Sequence, residues 1–247
     1  MVPALSQSSG QPQAGSSPAQ PPQAPASTPS PQQPVPADKS QNPDKNKPEG
    51  VSKDRLFYAL PNFLTLENAG QVPPLSTKEK FKVVTKGSFD YVQIPWYAFL
   101  AGISQAEDSE DGYGQGAAGY GKRFGAYFAD GTIENYMTGA ILPTVFREDP
   151  RYFQSGKGSF SRRTGYAISR IFVTRTDSGH QQFNFSEIFG SALSAGISTY
   201  SYHPHADRNL PNALSVWGTQ VGYDTITLVV KEFWPDIRRK MQKKKTH

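Results

Sequence analysis

Every aromatic residue of this chain lies after residue 56. The first is Phe57, and all 15 Phe, 12 Tyr and 3 Trp fall at or beyond that position. Residues 1 to 50 instead hold 12 of the 21 prolines, with many Gln, Ser and Ala. A segment so poor in large apolar groups cannot offset the entropy of ordering by burying surface. We therefore predict a disordered arm over residues 1–50, an extended or irregular lead-in over 51–75, and one folded domain over 76–235.

Charge is concentrated at the C-terminal end. Residues 51 to 230 carry 16 basic and 16 acidic groups, whereas residues 231 to 247 carry seven basic and two acidic ones. The predicted basic tail, residues 236–247, therefore accounts for the net charge of +5. Nucleic-acid binding needs a basic surface on the folded domain, so no nucleic-acid partner is predicted. The tail instead favours weak attraction to an anionic membrane surface, with these candidate residues: Arg238, Arg239, Lys240, Lys243, Lys244 and Lys245.

The first residues, "MVPALSQ", indicate export. Ala4 and Ser6 have the spacing of a signal-peptidase site, but no basic or apolar stretch precedes them. Either the resemblance is chance, or residues 1–6 are a signal-peptide remnant and the start codon is misplaced inside a longer signal peptide. A periplasmic or envelope-associated protein is the resulting expectation. The absence of cysteine excludes disulfides and thiol catalysis. No run of 18 apolar residues occurs, so no transmembrane helix is predicted.

The folded domain reads as an all-α, compact helical bundle. Ser76 with Glu79, and Asn184 with Glu187, form the capping patterns that begin helices. A last helix is predicted to begin at Asn209 and to end before Pro235. β-Branched residues cluster only in short patches, including 171–176, which we assign to helices.

Residues 114 to 123, "GQGAAGYGKR", match two phosphate-binding patterns in part. A carboxylate-rich stretch precedes the glycines, and Arg123 stands where a P-loop needs Ser or Thr, so no nucleotide site is predicted. We interpret the small residues as helix-packing ridges at four-residue spacing, with Arg123 on the outer face. Three ridges follow from this spacing: Ala117, Gly121, Gly125 and Ala129; Gly190, Ser194 and Ser198; and Gly218 with Gly222.

Metal chemistry has one candidate motif. His203, His205 and Asp207 spell H-x-H-x-D, the beginning of a metallo-β-lactamase-type signature, but Arg208 follows where that signature has histidine. A polar linker between helices is the favoured interpretation. Asp130, Glu134 and Glu187 also lie on predicted helices, yet no E-x-x-H accompanies them, which disfavours a di-iron site. No metal, cofactor or catalytic residue is therefore predicted.

Seven longer motifs follow one another along the domain: "PPLSTKEKF", "GYGKRFG", "ILPTVFREDPRYF", "TRTDSG", "FNFSEI", "GTQVGYD" and "KEFWPDI". Together they resemble a family of uncharacterised, exported, mostly helical bacterial proteins, over residues 55 to 240. The resemblance implies no activity and no site residues.

The expected function is that of a non-enzymatic helical protein of the bacterial cell envelope, with a structural or interaction role. Its expected partner is a membrane surface or another envelope protein, and no nucleotide. Two alternatives stay open: a metal-dependent, hydrolase-like enzyme using His203, His205 and Asp207, and a membrane-associated helical assembly.

Overall fold

The computed structural model describes residues 55–56, 60–61, 64–67 and 72–245. All of them belong to the second of two compact units, residues 44–247. The arm predicted over residues 1–50 and most of the predicted lead-in lie outside the described residues.

The described chain is mostly helical, which confirms the all-α prediction. Its helices are α1 Thr77–Ser88, α2 Gln93–Glu107, α3 Gly116–Tyr136, α4 Leu142–Val145, α5 Phe160–Ser169, α6 Phe185–Ser201 and α7 Leu210–Lys245. A π-helical turn, Met137–Ile141, joins α3 to α4. Both predicted caps form: Ser76 and Glu79 make a reciprocal capping box on α1, and the Asn184 side chain accepts a hydrogen bond from the Glu187 amide on α6.

Four helices form the body of the bundle. α2 packs on α3, α3 packs on α6, and α6 packs on α7. α1 lies against α3 and the π-helical turn, while α5 lies against α7. This order places α2 and α7 at the two edges of the group, where a cleft opens between them.

Short strands connect the helices. β1 Arg55–Leu56 pairs antiparallel with β2 Leu60–Pro61, and β3 Thr65–Leu66 pairs parallel with β5 Tyr152–Phe153. β4 Glu148–Asp149, β6 Val173–Thr176 and β7 Gln181–Phe183 form a three-stranded antiparallel sheet. The helical assignment of residues 171–176 is therefore wrong. The β-branched patch pairs through a tight turn, in which Gly179 adopts a φ of 89° that favours glycine.

Only one of the three predicted small-residue ridges packs against another helix. Gly190, Ser194 and Ser198 are all buried, and a Cβ on Gly190 would lie 3.1 Å from Thr138 Cγ2. By contrast, Gly121, Gly125, Gly218 and Gly222 are not buried, and nothing lies within 4 Å of a Cβ built on any of them. The ridge predictions on α3 and α7 are wrong because four-residue spacing marks a helix face without telling which face is buried.

α3 in fact buries the face that carries Arg123. The Arg123 side chain is fully buried and donates to the carbonyl oxygens of Gly114 and Glu110, at 2.5 and 2.8 Å, and to Ser104 Oγ at 3.1 Å. Gly114 has a φ of 74°, and a Cβ on Gly119 would collide with the Gly114 carbonyl. The glycines of "GQGAAGYGKR" thus allow the loop before α3 to fold closely around the guanidinium group of Arg123.

Pro235 does not end the last helix, contrary to the sequence-based prediction, because α7 continues through it to Lys245. A proline inside a helix leaves the carbonyl oxygen four residues earlier without its N–H donor. Gln154 Nε2 donates to that oxygen, on Lys231, and Arg163 Nη2 donates to the neighbouring carbonyl of Glu232. The predicted tail over residues 236–247 is therefore helical through residue 245.

The "FREDPRYF" segment holds the end of the bundle together. Glu148 is buried and accepts hydrogen bonds from the amides of Phe185 and Ser186, at 3.1 and 2.9 Å, which caps the N terminus of α6. Asp149 forms a buried ion pair with Arg151 at 2.5 Å.

Candidate functional site

A cleft of about 900 Å³ opens between α2 and α7, and it is also lined by α1, α3, the first turn of α6 and the short strands. Ligand pockets in proteins commonly have volumes of roughly 300–1,000 Å³. One stripe of α7 faces the cleft at helical spacing, and its polar members include Gln220, Asp224 and Lys231. On the α2 side, Trp96, Leu100 and Ile103 line the opening. The cleft therefore combines an apolar rim with ionisable groups on its inner surface.

Three carboxyl groups meet inside the cleft: Glu134 from α3, Glu187 from α6 and Asp224 from α7. Burial raises the pKa of Glu134, and the nearby Asp224 raises it further. The pKa of Glu187 is raised well above its ordinary value by the same two causes. Burial also raises the pKa of Asp224, although hydrogen bonds with Glu187 and Glu134 act in the opposite direction.

These directions indicate that the three carboxyls share protons. Asp224 acts as the acceptor, and the two glutamic acids act as donors. Glu134 Oε1 and Glu187 Oε1 are shielded from solvent and accept no hydrogen bond.

Lys231 lies about two helical turns beyond Asp224 on the same face of α7. Burial lowers the pKa of Lys231, while the charges of Asp224 and Glu187 oppose that change. The ammonium group therefore balances one of the three carboxylates when they ionise.

A second ionisable group lies at the other end of the cleft, around His203. The imidazole is buried, with Nδ1 3.5 Å from Glu110 Oε1 and Nε2 3.5 Å from Asp130 Oδ2. Burial acts to lower the pKa of His203, but Asp130 and Glu110 outweigh it and the pKa is raised. Asp130 also accepts hydrogen bonds from Ser198 and Tyr202 of the α6 region.

The three residues of the H-x-H-x-D motif do not lie together in the structure. His203 faces Glu110 and Asp130, whereas His205 is exposed in a short 3-10 turn, His205–Asp207. Asp207 is half-buried in the same turn. Across residues 72–245 and the short described stretches before them, no three His, Asp or Glu side chains are grouped so as to hold a metal ion. The metal-enzyme alternative stays a prediction.

The basic residues near the C terminus lie on the last turns of α7. Arg238 pairs with Glu67 at 2.9 Å, and Arg239 pairs with Asp236. Lys240 and Lys243 are exposed beside a shallow groove that also includes Phe160 and Phe233. The helix ends at Lys245, with Lys244 before it. Two of the six candidate residues are thus engaged in ion pairs, and two present charge to solvent.

Gln220, Asp224 and Lys231 are not among the candidate residues predicted from the sequence. Their signal was present, because Asp224 and Lys231 are charged residues seven positions apart within the largely apolar stretch "VGYDTITLVVKEFW". Charges inside an apolar helix are costly unless they serve a site or pair with one another.

Comparisons of the chain with protein-family models, with curated proteins and with solved structures found no match. The resemblance to exported helical proteins of bacteria stays a prediction, and any functional proposal for this chain rests on its own sequence and geometry.

Proposed function

We propose that this chain is a non-enzymatic helical protein of the bacterial cell envelope that acts by interaction, and that its partner is an anionic membrane surface. One observation carries the proposal: α6 exposes its large apolar residues and buries its small and polar ones. The exposed set, the α6 apolar ridge, comprises Phe185, Phe189, Leu193, Ile197 and Tyr200. The buried set comprises Ser186, Gly190, Ser191, Ser194, Ala195, Ser198 and Thr199.

This arrangement reverses that of an ordinary amphipathic helix, whose apolar face turns toward the core. Small and hydroxyl-bearing residues on the inner face are typical of helices that associate within a lipid environment. The ridge spans 15 residue steps, or about 22 Å of helix. Phe146 and Phe183 extend it, because their rings lie 5.4 and 5.1 Å from the ring of Phe185. So long an apolar surface marks an interaction site.

Charge favours a lipid surface over a protein partner. Lys240 and Lys243 are exposed near Phe160, whose ring is 70% exposed and stacks on Phe233 at 4.9 Å. Exposed aromatic rings beside lysines suit the boundary between acyl chains and anionic headgroups. No helix in the described part of the chain has both the length and the apolar character to cross a membrane.

Sedimentation with vesicles tests this proposal. We expect the full chain to bind vesicles of phosphatidylglycerol and phosphatidylethanolamine more tightly than vesicles of phosphatidylcholine. The double variant Phe189→Ser/Leu193→Ser should weaken binding by at least about tenfold, since each side chain contributes roughly 1.5–3 kcal/mol when fully buried. Lys240→Gln/Lys243→Gln should remove the part of the affinity that depends on salt.

The matched control is Ile94→Ser/Phe99→Ser on α2, because these residues are exposed to a similar extent and α2 packs on α3, not on the helix that carries the ridge. Equal loss of binding in this control would contradict a specific role for the ridge, and absence of binding to either vesicle would contradict the membrane partner. Fractionation of the native host checks the envelope location, which cytosolic protein with an intact Met1 would contradict.

A further inference from the structure

The cleft between α2 and α7 has features that the membrane proposal does not use. Its inner surface holds several side-chain oxygens that accept no hydrogen bond. Gln220 retains 9% of its surface, lines the cleft, and has a side-chain oxygen without a donor. Glu134 Oε1 and Glu187 Oε1 line the same space and also accept no hydrogen bond. These unpaired oxygens would be satisfied by a ligand with N–H donors.

The charges point to the same class of ligand. Three carboxylates, Glu134, Glu187 and Asp224, face one ammonium group, that of Lys231, so the ionised set would carry two net negative charges. A buried excess of negative charge is unfavourable unless protons or a bound cation neutralise it. Protons held by the carboxyls can therefore be replaced by a cation of suitable size.

The opening of the cleft adds an apolar and aromatic component. Trp96 and Tyr223 line it from α2 and α7 and are 43% and 58% exposed, and Leu100 and Ile103 lie beside Trp96. Aromatic rings attract organic cations through their π faces, and aliphatic side chains attract the hydrocarbon part. An inorganic ion would leave this rim without a partner.

We propose that the cleft binds an organic amine in its ammonium form, with the nitrogen at Glu187, Asp224 and Gln220 and the apolar body against Trp96 and the rest of the rim. The N–H groups of the ammonium donate to the unpaired oxygens. Binding displaces a carboxyl proton, which passes to the solvent. The inference is independent of membrane association, because it concerns the inner surface of the bundle.

Calorimetry with 2-phenylethylamine as the probe tests the proposal on the full chain. We expect binding of the amine, no binding of the neutral analogue 2-phenylethanol, and proton release that appears as a different heat in two buffers of different ionisation enthalpy. Affinity should rise with pH as the carboxyls ionise. The groups that face them are Tyr97 from α2, Asp130 from α3, and Lys231 from α7.

Two variants locate the site. Glu187→Gln and Asp224→Asn keep the side-chain shape and should each weaken amine binding by at least about tenfold. Asp111→Asn removes the same charge from an exposed position outside the cleft and should leave binding unchanged. Three results would each overturn the proposal: no amine binding at millimolar concentration, equal binding of 2-phenylethanol, or full amine affinity in both cleft variants. The comparison of amine with alcohol needs only the unmodified chain, so it holds even where a variant misfolds.

Discussion

Arg123 makes the largest set of side-chain hydrogen bonds in the connection between α2 and α3. Its guanidinium makes five hydrogen bonds, to the carbonyl oxygens of Gly114 and Glu110 and to three side chains: Ser104, Gln105 and Asp108. Asp108, its ionic partner at 3.1 Å, is half exposed, so the ion pair itself contributes little. The larger contribution comes from the carbonyl oxygens of Gly114 and Glu110, because both accept hydrogen bonds from the guanidinium.

Replacing Arg123 with alanine should lower the free energy of unfolding by about 3–5 kcal/mol, because the change leaves buried acceptors unsatisfied. Its neighbour Lys122 is exposed and provides the control: Lys122→Ala should change stability by no more than about 0.5 kcal/mol. Urea unfolding measures both. Millimolar ATP or NAD should not change the free energy of unfolding of the wild type or of either variant. If nucleotide stabilised the wild type but not Lys122→Ala, the structural role assigned to this loop would be wrong.

At the scale of single elements, α3 and α7 show what local sequence can predict. The caps at Ser76 and Asn184 were predictable, because their hydrogen bonds involve residues three positions apart. The buried face of α3 was not, since the small-residue face and the Arg123 face have the same period. The continuation of α7 through Pro235 depends on Gln154, far away in sequence, which no local pattern reveals.

We expect glycine substitutions on the two faces of α3 to change the free energy of unfolding in opposite directions. Gly125→Ala should raise the unfolding free energy by about 0.5–1 kcal/mol, because alanine is the better helix former and the added Cβ meets open space. Gly119→Ala should lower it, because the Cβ would collide with the Gly114 carbonyl. Thermal melting of the two variants tests this directly. If Gly125→Ala were destabilised, the result would support the packing ridge predicted from the sequence and contradict the open space around Gly125.

At the scale of the whole molecule, the bundle buries a group of ionisable side chains beside its apolar core, while α6 exposes its large apolar residues. The cleft joins Glu134, Glu187, Asp224 and Lys231 from three helices. The sequence places Glu134 and Lys231 nearly a hundred residues apart, so their meeting depends on tertiary packing and not on any motif. Folding therefore assembles a proton-holding cluster that the unfolded chain does not have.

This assembly predicts an unusual dependence of stability on pH. A carboxyl whose pKa is higher in the folded state binds more protons there than in the unfolded chain, so its contribution is lost as pH rises above the unfolded value. Burial places Glu134, Glu187 and Asp224 in this class. His203, with its raised pKa, contributes fully below about pH 6.5 and loses that contribution above it. All four groups therefore act in the same direction.

We expect the unfolding free energy to fall between about pH 5 and about pH 7, by up to roughly 1.4 kcal/mol per pH unit for each carboxyl that holds its proton. The lowered pKa of Lys231 acts in the opposite direction at higher pH, so the acidic half of the range is the decisive one. Urea unfolding at a series of pH values measures the slope. Glu134→Gln/Glu187→Gln should flatten it, because an amide mimics the protonated carboxyl and does not titrate. Stability that rises with pH across this range would show that the carboxyls are ionised in the folded protein.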